Sequence, residues 1–150
     1  MLVTAPHKSC LSMSSHATLS LEPLFCHNRV PLDDTHLIAA LSVFTHESHL
    51  ALRRATRLSW WANAPADVAK FFTLRGNDLL TPGAIAVEAQ AHNNDMLLVN
   101  ASSALPRSVG PLATLLHWYR CAGRLFPTVK FFGKLDDDVW INIAVLSASL

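Results

Sequence analysis

Beyond about residue 35 the chain alternates between two textures. Short, nearly continuous apolar runs occur at 36–45 (HLIAALSVFT), 67–74 (DVAKFFTL), 95–100 (DMLLVN) and 128–135 (TVKFFGKL). They lack a helical period and read as buried strands, although the Ala- and Leu-rich first run also suits a buried helix. Between them, 49–61 places Leu50, Ala51, Ala55, Leu58 and Trp61 at helical spacing. The stretch 81–94 reads as a second helix, with Pro82 suited to its start and Asn94 to its exit. A long amphipathic helix is predicted over 109–126, with Gly123 and Pro127 near its end. The resulting order, β-α-β-α-β-α-β, predicts an α/β fold: a mostly parallel sheet with flanking helices on both faces. Residues 1–35 are rich in Ser, His and Pro and show no period, so they are expected to form a poorly ordered leader to a domain over 36–150.

Composition narrows the classes. A chain of 150 residues, 51% hydrophobic and 15% charged, is long enough for one domain with its own core and too apolar for general disorder. A net charge of +1 gives no support to a nucleic-acid or anionic-membrane partner. The three cysteines, Cys10, Cys26 and Cys121, form no CxxC pair, so neither a disulfide framework nor a zinc ribbon is supported. One bridge with a free thiol and three reduced thiols both remain open. No run approaches the roughly 18–20 apolar residues of a membrane span, and the N-terminus lacks the continuous apolar stretch of a signal peptide. The expectation is either a cytosolic chain or a targeting segment outside this sequence.

The candidate chemistry lies in KFFGKLDDDVWIN, residues 130–142. Asp136, Asp137 and Asp138 follow the fourth strand, at the end of a parallel sheet where ligands collect. Carboxylates there suit Mg²⁺ or Mn²⁺ carrying nucleotide phosphates. Strand alternation would turn Asp136 and Asp138 toward one ion and Asp137 elsewhere, toward a sugar hydroxyl or a backbone amide. A solvated acidic turn that caps the next helix is the plainer alternative. Lys134 is placed to neutralise the aspartates. Arg53 and Arg57, one helical turn apart, can face one anion such as a diphosphate, or form a solvated helix face. Asp95 suits a nucleotide contact or a surface cap at a strand start. Trp60, Trp61 and Trp118 are assigned to the core, and His46 and His49 to a loop.

KLDDDVWIN resembles the metal-binding Asp-x-Asp element of the β-1,3-glycosyltransferases, through Lys134, Asp136, Asp138 and Asn142. Other segments resemble that family in its order: RRATRLSW through Arg53, Arg57, Ser59 and Trp60; VAKFFTLRG as its second strand; EAQAHNNDMLL through Glu88 and Asp95; then the helix with Trp118. The match spans about residues 36–145. The resemblance implies the nucleotide-sugar-binding half of a GT-A-type fold and an inverting, metal-dependent hexosyltransferase. Such an enzyme moves galactose or N-acetylglucosamine from a UDP-sugar donor to a glycan acceptor in β-1,3 linkage. It implies Asp136 and Asp138 as ligands of Mn²⁺ (or Mg²⁺), with Arg53, Arg57, Asp95 and Asp137 contacting the donor. It also implies a Golgi membrane protein facing the lumen, through an anchor not present here. Two departures accompany it. NASSALPRSVGPLAT (100–114) replaces a polar loop, with Pro111 at a position where the family carries Lys, and the segment in which the family holds its acceptor site and catalytic base would lie past Leu150. The competing expectation is a truncated, non-catalytic remnant that at most binds a nucleotide or a protein partner.

Overall fold

The computed structural model describes residues 20–102 and 104–150. Strands β1 (Ala39–Phe44), β2 (Val68–Arg75), β3 (Met96–Val99) and β4 (Phe131–Asp136) form one sheet in the order β3-β2-β1-β4. Every pairing is parallel. The connections are α1 (Leu50–Thr56), which runs on into a π-type turn at Arg57–Trp61, then α2 (Pro82–Ala91) and α3 (Gly110–Leu125). A short α4 (Ile143–Ala148) follows β4; its cap is not one of the aspartates but Asn142, whose side chain accepts from the Val145 N–H at 3.2 Å. The architecture is a small α/β domain with a parallel, Rossmann-like sheet flanked by helices.

Alternation explains why both faces are covered. Ala39, Leu41 and Val43 of β1, with Val68, Phe72 and Leu74 of β2, join Trp60, Ile85, Ala89 and Ile143 in one core. Ala40 and Leu97 meet Trp118, Ala122 and Leu125 of α3 in the other, with Phe71 and Phe132 packed against it. The fully buried polar residues of the central strands form a matched pair, the Ser42 hydroxyl donating to Thr73 Oγ1 at 2.7 Å. At Gly133 a Cβ would lie 2.5 Å from Leu41 Cδ2, so the glycine lets β4 close against β1. The turn at Arg57–Trp61 is not regular helix: Ser59 has φ −104° and ψ −112°. Trp60 is buried there, while Trp61 stacks on Phe72 with ring centroids 4.5 Å apart. The helix expected over 81–94 stops at Ala91, and Asn93 and Asn94 take left-handed φ values of 55° and 56°, a conformation asparagine tolerates.

Residues 20–35, within the span assigned to the leader, are tied to the domain. The Arg29 guanidinium donates to the carbonyls of Asn94 and Met96, and Asp34 accepts from the Thr128 N–H at 2.7 Å. Cys26 is bridged to Cys121 of α3, 95 residues away. Of the alternatives open for the thiols, one bridge is formed; Cys10 and the rest of residues 1–19 lie outside the described residues.

Candidate functional site

In the order β3-β2-β1-β4 the chain leaves β1 toward one side of the sheet and later returns to its other side as β4. Loops at the carboxyl ends of β1 and β4 therefore diverge, and a crevice opens where they part. A cleft of about 250 Å³ occupies that place. Thr45, His46 and His49, from the loop between β1 and α1, line one part of it. Arg75 at the end of β2 and Asp78 beyond it, Pro111 and Thr114 of α3, and Asp136 and Asp137 from the end of β4 line the rest.

The three aspartates are treated differently. The period of two that would set Asp136 beside Asp138 holds only within a strand, and β4 ends at Asp136, leaving Asp137 and Asp138 in a turn. Asp136 lies at the cleft mouth, its side chain 61% exposed, paired with the Lys134 ammonium. Asp137 turns inward: its Oδ2 accepts from the Thr45 hydroxyl and lies 2.8 Å from His49 Nδ1. Asp138 is exposed and is not part of the cleft lining. Among the described residues no group of three or more His, Cys, Asp or Glu side chains is assembled to hold a metal ion. The donor set at this turn suits a cation that arrives with phosphate oxygens, since Mg²⁺-type sites in nucleotide enzymes use one or two carboxylates and take the remaining ligands from water and substrate.

The two arginines sit behind the cleft. Arg53 is 1% exposed; its Nε and Nη2 donate to Glu88 at 2.9 and 2.7 Å, and it also donates to the carbonyls of His46 and Glu47. Arg57 donates from Nη1 to Glu88 at 2.7 Å and from Nε and Nη2 to Asp95 at 2.8 and 3.0 Å, over the face of Phe72. Burial alone would raise the Glu88 carboxyl, but hydrogen bonds from Arg53 and Arg57 outweigh it and hold the group below its ordinary range. Burial would likewise lower Arg57, yet Asp95 and Glu88 leave its guanidinium raised. The structure thus brings Arg53, Arg57, Glu88 and Asp95 together in one closed network, whose members complete one another's hydrogen bonds. Arg53 touches the cleft from behind, donating to the His46 and Glu47 carbonyls and to Thr45 Oγ1 in the loop that forms its wall.

The guanidinium that faces the cleft is Arg75, which pattern reading passed over because it closes an apolar strand. Its Nε donates to Thr114 Oγ1 at 2.9 Å, and the Thr114 hydroxyl in turn donates to the Gly110 carbonyl at 2.8 Å. A Cβ on Gly110 would come within 2.6 Å of Arg75 Cζ, so the first turn of α3 is a seat shaped for this side chain. Thr114 is its hydrogen-bond partner among the described residues, and Arg75 lines the cleft together with Thr114. Glu47 accepts from the Leu80 and Thr81 N–H groups at 2.8 and 2.9 Å, joining the loop after β1 to the start of α2. The link between His49 and Asp137, 88 residues apart in sequence, carries no local signal by which it could have been found.

A scan against models of known protein families and a search of curated proteins return no match to this chain.

Proposed function

We propose that this chain is the donor-binding part of a metal-dependent hexosyltransferase that uses a UDP-sugar, of the β-1,3 type that its sequence resembles, in a GT-A-type arrangement. The observation that carries the reading is the mixed charge of the cleft at the switch between β1 and β4: Asp136 and Asp137 with Lys134 on the β4 wall, and the Arg75 guanidinium beside the first turn of α3 on the other, with Asp78 near it. An anion carrying its own divalent cation satisfies both walls at once. A volume of about 250 Å³ is at the small end of ligand pockets, which run to roughly 300–1,000 Å³, so the cleft suits the diphosphate and its cation more than a whole nucleotide sugar.

Asp136 at the end of β4, with Asp138 from the turn beyond it and outside the cleft lining, would hold Mn²⁺ or Mg²⁺, and the bound cation would supply Lewis-acid stabilisation of the departing diphosphate. Lys134 pairs with the Asp136 carboxylate at the mouth, and a bound cation would have to replace that pair. An exposed pair of this kind is worth only about 0–1 kcal/mol, so the exchange is cheap. Arg75 orients the phosphates, and Thr45 with His49 fixes Asp137 in the wall. The Cys26–Cys121 bridge suits an oxidising compartment, in keeping with a lumenal enzyme.

Calorimetry on the folded chain tests the proposal. UDP is expected to bind at least about tenfold more tightly with Mn²⁺ than without it, a difference of about 1.4 kcal/mol. Mn²⁺ alone is expected to bind weakly, because no cage is assembled before the phosphates arrive. Equal UDP affinity with and without Mn²⁺ would overturn the reading and favour a non-catalytic remnant.

A further inference from the structure

We propose that Asn100 is a site of N-linked glycosylation, carrying an oligosaccharide beside the Cys26–Cys121 bridge. Asn100-Ala101-Ser102 is an Asn-x-Ser tripeptide with a non-proline middle residue, the acceptor pattern modified in the secretory lumen. The tripeptide alone is a weak signal, since short motifs recur by chance. Its placement and its surroundings give it weight.

The placement is that of an acceptor. β3 ends at Val99, and the Ala101 N–H donates to the Val99 carbonyl at 2.8 Å, closing a three-residue turn with Asn100 at its apex. The Gly76 N–H donates to the same Val99 carbonyl at 2.9 Å, so the base of the turn is anchored to the end of β2. Ala101 is buried while Asn100 is exposed. Among the described residues the Asn100 side-chain amide takes part in no hydrogen bond, so a sugar on its nitrogen displaces no native partner.

The surroundings supply the compartment. Asn100 shares a surface pocket of about 240 Å³ with both cysteines of the bridge. Disulfides of this kind form and persist in oxidising compartments, of which the lumen where Asn-x-Ser is modified is one. The inference needs only lumenal exposure and is independent of hexosyl transfer by this chain.

The chemistry balances with a lipid-pyrophosphate-linked oligosaccharide as donor and a membrane-bound oligosaccharyltransferase as catalyst. A bond forms between Asn100 Nδ2 and the anomeric carbon of the donor sugar. The bond from that carbon to the phosphate oxygen breaks, the lipid pyrophosphate leaves with the electron pair, and the amide gives one proton to the transferase. In the folded domain the Ser102 hydroxyl is engaged, donating to the Asp78 carboxylate and accepting from the Ala104 N–H. The transferase must therefore read Ser102 before this loop folds, as modification during synthesis allows.

The test is expression of the whole chain behind a cleavable signal in a eukaryotic secretory host, followed by endoglycosidase digestion and peptide mapping. A single slower-migrating species is expected, collapsing on digestion, absent in Asn100→Gln and in Ser102→Ala, and retained in Ser102→Thr. Because attachment precedes folding, a variant that folds poorly still reports on it. An unmodified chain recovered from the lumen, or a glycan that persists in Asn100→Gln, would overturn the proposal.

Discussion

Glu88 with Asp95, and Asp136 with Asp138, are two sets of carboxylates in one small domain that meet their neighbours in opposite ways. The first set lies under α1, with side-chain exposures of 9% and 13%, and is matched donor for acceptor by Arg53 and Arg57. The second lies open to solvent at the end of β4 and in the turn after it, where Asp136 has the Lys134 side chain as its partner. Magnitudes separate their roles. Removing one partner from a buried, hydrogen-bonded ion network costs about 3–5 kcal/mol, because a charge is left stranded. Giving up an exposed pair costs about 1 kcal/mol at most. A ligand that borrowed Arg57 from Glu88 and Asp95 would bear the larger cost, whereas a cation that displaced Lys134 from Asp136 would bear the smaller. Closed charges hold a fold together, and open charges are available to a ligand.

The sharpest way to break this comparison is Glu88→Ala. It leaves the buried Arg53 guanidinium with no carboxylate partner and Arg57 with Asp95 alone, and an unfolding free energy lower by about 3–5 kcal/mol is expected from urea denaturation. A loss below about 1 kcal/mol would mean that the network is solvated and that the contrast with the acidic turn is false.

A titration tests the same network without a mutation. The folded Glu88 carboxyl lies below its ordinary value of 4.5, so near that pH the unfolded chain binds more protons than the folded one. Its stabilising contribution is whole above the ordinary value and is lost as pH falls through the depressed one. Asp34 acts with the same sign: burial opposes the shift, and hydrogen bonds led by the Thr128 N–H prevail. Arg57, being raised, stays charged throughout and adds no slope in this window. The denaturation midpoint is expected to decline as pH falls through and below the ordinary carboxylate range, with a smaller acid-induced loss in Glu88→Gln. A midpoint that is flat across that window would contradict the assignment.

The smallest effect on stability is expected at the acidic turn. The double variant Asp136→Asn, Asp138→Asn should unfold within about 0.5 kcal/mol of the parent, as surface substitutions do. The same variant should lose the Mn²⁺-dependent part of UDP binding. Unchanged Mn²⁺-dependent affinity in a stable variant would move the cation away from this turn and leave the carboxylates a solvated acidic turn.

Local pattern sufficed for the elements. Strands β1, β2 and β3 lie inside the apolar runs that predict them, give or take a residue, because alternation with both faces buried is written in neighbouring side chains. The helix over 109–126 was legible in the same way, as was the placement of the aspartates after the fourth strand. The six-residue α4 was too short for its period to show, although Asn142 caps it as asparagine often does. What sequence spacing could not supply was partnership across the fold. Nothing local states that β4 returns beside β1, that Cys26 meets Cys121, that His49 meets Asp137, or that Arg57 meets Asp95. Those pairings are set when two layers of helices close on a twisted sheet and each buried donor must find an acceptor within reach. Arg53 and Arg57 read equally well as phosphate ligands or as a solvated helix face while their surroundings were unknown. Only the tertiary structure brought Glu88 of α2 to both of them, gave Arg57 Asp95 and Arg53 the carbonyls of His46 and Glu47, and left Arg75, at the end of an apolar strand, as the arginine that lines the cleft.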